Sequence, residues 1–365
     1  RDKIKLKKEN IEKIPENDIK ELLKLMLLDK EKEEFKDITL RQDKLLWIGR
    51  EYQKQGIEYV EITDTDLAKD NGPAIKLIEE LHEIMPHIEK ETGVKIRFLV
   101  GLRRIPLTII KDQIVSGNYL RKNLDVLKTV AKSPYVVGSD FIGEETNDIT
   151  ELKPVIKELV EFVKEDKDFT IRIHAGENDS LKDNVAKSIE CVKESLSNGQ
   201  EMPRVRIGHG LYTANLNTEE GKELIKNIKD AKVVLEFQLT SNVRLNNLNN
   251  LAKHPIKQYL KDDIKCVQGT DGCGAYGTDT IEEQLALLGL GEKELTQIRN
   301  VEKEIIERND RYFKEKSKKF NKFLNGRTIK EALTQEEKEN HIKGEKNEIP
   351  MRIVERVEAE ELLKD

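Results

Sequence analysis

The sequence predicts an α/β chain folded as a (β/α)8 TIM-type barrel, with additional helices toward its C-terminus. Three observations carry that expectation. Short β-branched, apolar runs recur along the chain; amphipathic stretches lie between them; and several runs stop at residues that bear chemistry. In a parallel barrel the C-terminal strand ends form the mouth that holds the reactive groups.

The strand-like runs are Ile57 to Thr63, Ile96 to Leu102, Tyr135 to Phe141, Phe169 to Ile173, Val205 to Ile207, Val233 to Leu239 and Ile264 to Val267. Between them, Gly72 to His82, Leu152 to Lys164, Leu181 to Leu196 and Glu219 to Lys229 carry apolar residues at helical spacing. Strand and helix alternating every ~30–40 residues read as βα units around a parallel sheet. Before Ile57 the pattern is helical, over Ile19 to Leu28 and over Leu40 to Gln55, with Trp47 on the apolar side. A closed barrel needs eight strands, and no strand-like run precedes Ile57. The first strand is therefore expected to lie outside this sequence, which begins Arg1-Asp2 rather than with methionine.

Residues 1–310 are expected to form the barrel lacking that first strand, and residues 311–365 a charged helical annex. The stretch from Ile298 to Phe323 is rich in Lys and Glu with several aromatics, and a solvated helix face is the plain reading of it. The 365 residues are 37% hydrophobic and 37% charged, with a net charge of −6 from 64 basic and 70 acidic residues. Charges so interspersed leave no nucleic-acid footprint. No apolar run approaches the ~20 residues that span a bilayer, and no signal peptide is evident. Three cysteines without a C-x-x-C pair fit a reducing, cytoplasmic setting. Cys273 lies near the strand-end residues and is read as a spectator thiol.

Four consecutive strand ends carry the functional signal: His174-Ala-Gly-Glu177, Gly208-His209-Gly210, Thr240-Ser241-Asn242 and Gly269-Thr270-Asp271. A histidine suits a metal, and a glutamate suits proton transfer. Singly, each has a structural reading as well: a packed histidine, a surface carboxylate, a turn-forming Asp-Gly. Together they point to a metal-assisted hydrolase site.

These motifs, with Val137-Gly-Ser-Asp-Phe-Ile-Gly143-Glu-Glu145, resemble the adenosine deaminase family of zinc hydrolases in order and spacing from about residue 40 to 310. The resemblance implies that His174 and Asp271 are zinc ligands. It implies that Glu177 gives a proton to a purine ring nitrogen, so that water adds at the amine-bearing carbon. Glu177 must then be protonated when the purine binds, which an apolar enclosure favours. His209 would orient the zinc-bound water, and Asp271 would also receive its proton. Gly143, with Gly176 and Asp140, would line the purine pocket. Ser241 and Asn242 would brace the metal side. His82, His87, His254 and His341 fall outside the set and read as structural or solvated.

The sequence departs from the family in two ways. The family's remaining zinc ligands are a His-x-His pair on the first strand, and no two of the six histidines here are two apart. The missing pair and the missing strand are one element. The chain by itself is therefore expected to hold zinc weakly and to turn over little. Second, Gly272 stands where the family has another aspartate, which grips the imidazole edge of the purine; Asp279 is a candidate substitute. The pattern resembles divergent branches that include deaminase-like subunits of antiphage defence systems, some acting on adenine nucleotides. That implies a purine nucleoside or nucleotide as substrate, with a homo-oligomer or a larger defence complex as setting. Arg103 and Arg104, at the end of the second run, suit phosphate through charge-assisted bonds, or form an ordinary basic pair. Two other readings remain open: a metal-poor barrel that binds a purine or a partner without turnover, and an amidohydrolase with another substrate.

Overall fold

A computed structural model describes residues 38–69, 71–104, 119–143, 145, 148–244, 250–271, 283 and 287–345. The expectations for the helix at Ile19 to Leu28, and for Gly272, Cys273 and Asp279, lie outside the described residues. The strands are β1 (Tyr59–Asp64), β2 (Lys95–Arg103), β3 (Val136–Ile142), β4 (Thr170–Ala175), β5 (Arg204–His209), β6 (Val234–Phe237) and β7 (Cys266–Gln268). The helices are α1 (Ile38–Lys54), α2 (Asn71–Thr92), α3 (Tyr119–Val130), α4 (Lys153–Phe162), α5 (Asn184–Glu194), α6 (Glu219–Asp230), α7 (Leu239–Arg244), α8 (Ile256–Lys261), α9 (Glu292–Leu324) and α10 (Ile329–Glu345).

All the strand pairs are parallel and follow chain order from β1 to β7. Side chains alternate across each strand. On one face Ile171, Ile173, Ile207 and Leu235 join the aliphatic core under the helices. The other face carries Arg172, Arg206, Glu236 and Glu61. Arg206 on β5 pairs with Glu61 on β1 at 2.8 Å. Strands four places apart reach each other only if the sheet is curled, so this second face is the inside of a barrel wall. Among the described residues the expected TIM-type architecture is thus present as seven curled parallel strands with helices outside.

Local chemistry explains several element boundaries. Thr218 caps α6 by accepting from Gly221 N at 3.2 Å. Thr328 and Glu331 bond reciprocally to each other's amides at the start of α10, a capping box. The run from Val233 stops short of Leu239: β6 ends at Phe237, and the buried Glu283 carboxylate takes the amides of Leu239 and Thr240, which open α7. Trp47 does not lie on the packed face of α1. It is 61% exposed; Leu45, two residues before it, is the buried side chain, and helix positions i and i+2 do not share a face.

Helix α9 is not a solvated annex. It runs unbroken through residues 310 and 311, where the sequence suggests a division, and lies against the inner face near the N-terminal strand ends. Val301 and Ile305 pack on Val234 and Val267, and Tyr312 on Leu99 and Val137. Asn309 donates to Tyr59 Oη at 2.6 Å and Glu61 Oε1 at 2.8 Å. Lys316 donates to the Val136 carbonyl at 2.5 Å, and burial pulls its pKa down to about 8. The charged positions that look solvated in sequence include contacts that close the barrel floor. No helix among the described residues is long and apolar enough to cross a membrane.

Candidate active site

The C-terminal ends of β4, β5 and β7 converge. Donor atoms of Glu177, His209 and Asp271 all lie within 4.8 Å of one another. His209 Nε2 is 3.8 Å from Glu177 Oε2, and the His174 and His209 ring centres are 5.2 Å apart. His174 is outside the tight trio but adjoins it. His209 and Asp271 both have positive φ, at 72° and 55°, a backbone region that side chains other than glycine seldom occupy. Such strain is held only where the surroundings fix it.

Gly176 allows Glu177 to reach the site. Its φ is +75°, and a Cβ there would stand 2.8 Å from the Tyr212 carbonyl and 3.2 Å from Gly210 Cα. Gly143 is similar, with φ +101° and the Arg104 carbonyl 2.7 Å from any Cβ. A buried carboxylate that the sequence left without a role, Glu145, fixes the loop after β4. It accepts from Gly176 N at 2.9 Å, Glu177 N at 2.7 Å and Asn178 N at 2.9 Å, and from Asn184 Nδ2 at 2.8 Å.

Below the mouth lies an ionic layer. Arg172 donates to both Asp140 and Glu236. Burial alone would raise the Asp140 pKa, but the Arg172 guanidinium overrides it and holds the carboxyl well below the usual range. Glu236, equally buried, is held down to about 2 by Arg172 and Arg206. Arg172 itself is pushed up by the two carboxylates against its own burial. The signal for this layer in the sequence is a charged residue at alternate positions of otherwise apolar runs, Arg172 two before His174 and Glu236 within Val-Leu-Glu-Phe.

Asp140 does not line a substrate pocket. It is fully buried, accepts from Thr63 Oγ1 at 2.7 Å, and faces His174 Nδ1 at 3.0 Å. The Phe141 carbonyl also faces that nitrogen, at 3.1 Å. Two acceptors there place the ring proton on Nδ1 and leave the lone pair on Nε2, which stands 3.5 Å from Arg172 Nη1. Two carboxylates and a histidine within 4.8 Å, with the His174 ring 5.2 Å from that of His209, gather donor types that suit a divalent metal.

The remaining expected residues fall as follows. Arg104 is 5% exposed and donates to the His174 carbonyl, so it braces β4 from within. Arg103, at the end of β2, is half-buried. Ser241 is buried and donates to the Gln238 carbonyl at 3.2 Å. One end of the Asn242 side-chain amide lies 3.2 Å from His209 Nδ1, so it braces that histidine rather than His174. His254, set aside in the sequence, is buried against Asn242 at 3.4 Å.

A curled parallel sheet with histidines and carboxylates at its C-terminal strand ends defines a TIM-type barrel protein with a candidate metal-assisted site. The chain belongs to the adenosine deaminase family: the family model described as adenosine deaminase matches residues 7–311. It is 27% identical over 234 residues to an adenosine deaminase of Clostridium kluyveri, covering 63% of this chain and 58% of that relative, so it spans under two thirds of that relative's length. Two solved structures share the fold. The N6-mAMP deaminase of Arabidopsis aligns with a TM-score of 0.57 at 16% identity, covering 86% of this chain and 87% of the other. A Burkholderia ambifaria amidohydrolase with bound Zn aligns with a TM-score of 0.53 at 14% identity, covering 80% and 76%.

Proposed function

We propose that the chain carries the catalytic mouth of a zinc-dependent deaminase that converts adenosine or an adenine nucleotide to its inosine counterpart and ammonia. The convergence of Glu177, His209 and Asp271 beside His174, in a chain of this family, is the observation that carries the reading. His174, through Nε2, and Asp271 would hold the zinc, whose Lewis acidity lowers the pKa of a bound water. Glu177, fixed by the Glu145 clamp on its loop, delivers a proton to a purine ring nitrogen. Gly143 offers its backbone at the pocket wall, where no side chain fits. His209 faces the same space and orients the attacking oxygen. Asp271 accepts the water's proton and passes it to the amine, which leaves as ammonia from the carbon that water has attacked, while the hydroxyl proton returns to Glu177 as the carbonyl forms.

A nucleotide is the preferred substrate in this reading. A similar fold serves a protein named for its action on N6-mAMP. In this reading Arg103, at the strand end and less buried than Arg104, would take the phosphate. The test is ammonia release by full-length, zinc-loaded protein from adenosine, deoxyadenosine, AMP and ATP. A higher kcat/KM for AMP or ATP, reduced by Arg103→Ala with adenosine unaffected, supports the nucleotide reading. Release from adenosine alone overturns the nucleotide preference, and release from none overturns the deaminase reading.

A further inference from the structure

The neighbours of His209 on its far side form a chain of groups whose donors and acceptors match in only one way. The amide of Ile256, at the start of α8, donates to His254 Nδ1 at 3.1 Å. A backbone N–H only donates, so Nδ1 must present its lone pair. The His254 ring is 5% exposed and lies edge-on to Phe237 with centres 4.9 Å apart. Burial, with His209 nearby, pulls its pKa down to about 3, so at neutral pH the ring keeps one proton. That proton is on Nε2.

His254 Nε2 faces one end of the Asn242 amide at 3.4 Å. The other end of the amide faces His209 Nδ1 at 3.2 Å. The oxygen and nitrogen of an amide have nearly the same shape, and their assignment follows from the partners. A proton on His254 Nε2 demands the amide oxygen opposite it. The NH2 group then points at His209 Nδ1, which accepts. The opposite orientation needs the His254 proton on Nδ1, and so sets it against the Ile256 N–H. A doubly protonated His209 sets its Nδ1–H against the Asn242 NH2 and is opposed by the same chain.

We infer that His254, acting through Asn242, fixes His209 as the Nε2–H tautomer and so makes it a hydrogen-bond donor into the site. The Nε2–H then points to the side where Glu177 Oε2 stands, 3.8 Å away. The rest of His209 is held as firmly: Gln238 Oε1 accepts from its amide at 3.1 Å, and Gln238 Nε2 is anchored on Glu236 at 2.8 Å. The consequence for catalysis rests on the deaminase reading. His209 donates to the attacking oxygen and does not take its proton, so a carboxylate must. It is also not a metal ligand through Nε2, which separates it from His174, whose neighbours place the proton on the opposite nitrogen. His254 and Asn242 are positioning residues, since neither faces the mouth.

Long-range proton–nitrogen correlation spectra of the full chain, labelled with 15N-histidine at neutral pH, read this directly. The expected pattern is a bare Nδ1 and protonated Nε2 for both His209 and His254, with the reverse for His174. In Asn242→Asp the carboxylate can only accept, so His209 Nδ1 should become protonated, and kcat should fall on the order of 10²-fold while KM changes little. In His254→Phe, which removes the directing proton and keeps a ring in the cavity, the His209 signals should shift toward a mixture. A protonated Nδ1 on His209 in the unsubstituted protein overturns the inference, and so does a bare Nδ1 in Asn242→Asp. The spectrum of the unsubstituted protein needs no turnover and no variant that folds. The expected tautomers without ammonia release from any purine would therefore sink the deaminase reading and leave the relay standing.

Discussion

The two faces of the curled sheet are held by different physics. Outside, Ile171, Ile173, Ile207 and Leu235 meet helices through apolar contact alone. Inside, Arg172, Asp140, Glu236, Arg206 and Glu61 meet one another as charges with almost no water. Apolar contact is non-directional and tolerates changes of similar volume. A buried charge network has no such slack, because each member is the solvent of its neighbours. The inner face gives up tolerance and gains aim: Asp140 holds the His174 ring at Nδ1, and Glu236 anchors Gln238, which accepts from the His209 amide.

Removing the centre of the inner layer should have the largest effect. Arg172→Leu leaves Asp140 and Glu236 buried without their shared cation, and the loss of one partner of a buried pair costs about 3–5 kcal/mol. Urea unfolding of the variant measures it. A loss below about 1 kcal/mol, the range of exposed pairs, would mean that water reaches the layer and that the two faces differ little in how they are held.

At the mouth the same contrast should appear in rate instead of stability. Glu177→Gln keeps the shape and the loop clamp by Glu145 but removes the acid. Turnover should fall by on the order of 10²-fold or more, with the unfolding midpoint nearly unchanged and ligand binding largely kept. Near-normal ammonia release would exclude Glu177 as the proton carrier.

The outer face was legible in the sequence, because period-2 strands and helical spacing announce apolar burial directly. The strand-end motifs were legible too: the donor atoms of Glu177, His209 and Asp271 lie within 4.8 Å of one another, and the His174 ring is 5.2 Å from that of His209. What was not legible depends on curvature. Arg206 and Glu61 look like isolated charges in apolar runs until the sheet bends and brings β5 and β1 together across the barrel. Glu145 and His254 were hidden for another reason: their partners are backbone amides and an amide side chain, which leave no mark in sequence. Lys316 and Asn309 on α9 read as solvated because a charged helix normally is; here the barrel floor supplies their acceptors.

Acid should sharpen the comparison next. Glu236 is ionised in the folded chain down to about 2, against an ordinary value of 4.5. Between those values the unfolded chain takes up a proton that the folded chain refuses. Folding stability therefore falls as pH drops through that window, and the contribution is complete and flat above it. One proton gives a slope of at most about 1.4 kcal/mol per pH unit, and Asp140, held lower still, steepens the acid end. Unfolding curves at stepped pH should show a shallower limb in Glu236→Gln than in the parent. Identical limbs would place the acid sensitivity elsewhere.

The smallest effect belongs to the outer face, and it serves as the control for all the others. Ile207 is fully buried on β5, between the inward Arg206 and Gly208, and its side chain points into the helix-covered core. Ile207→Val removes one methyl group without touching a charge or a hydrogen bond, at a cost of about 0.5–1.5 kcal/mol. If the two faces are independent, turnover and the His209 tautomer should both be unchanged, although Ile207 lies only two residues from His209. A rate loss beyond about threefold, at a stability loss in that range, would show that outer packing sets the strand end as tightly as the inner charges do. The tolerance ascribed to the outer face would then hold for stability and not for function.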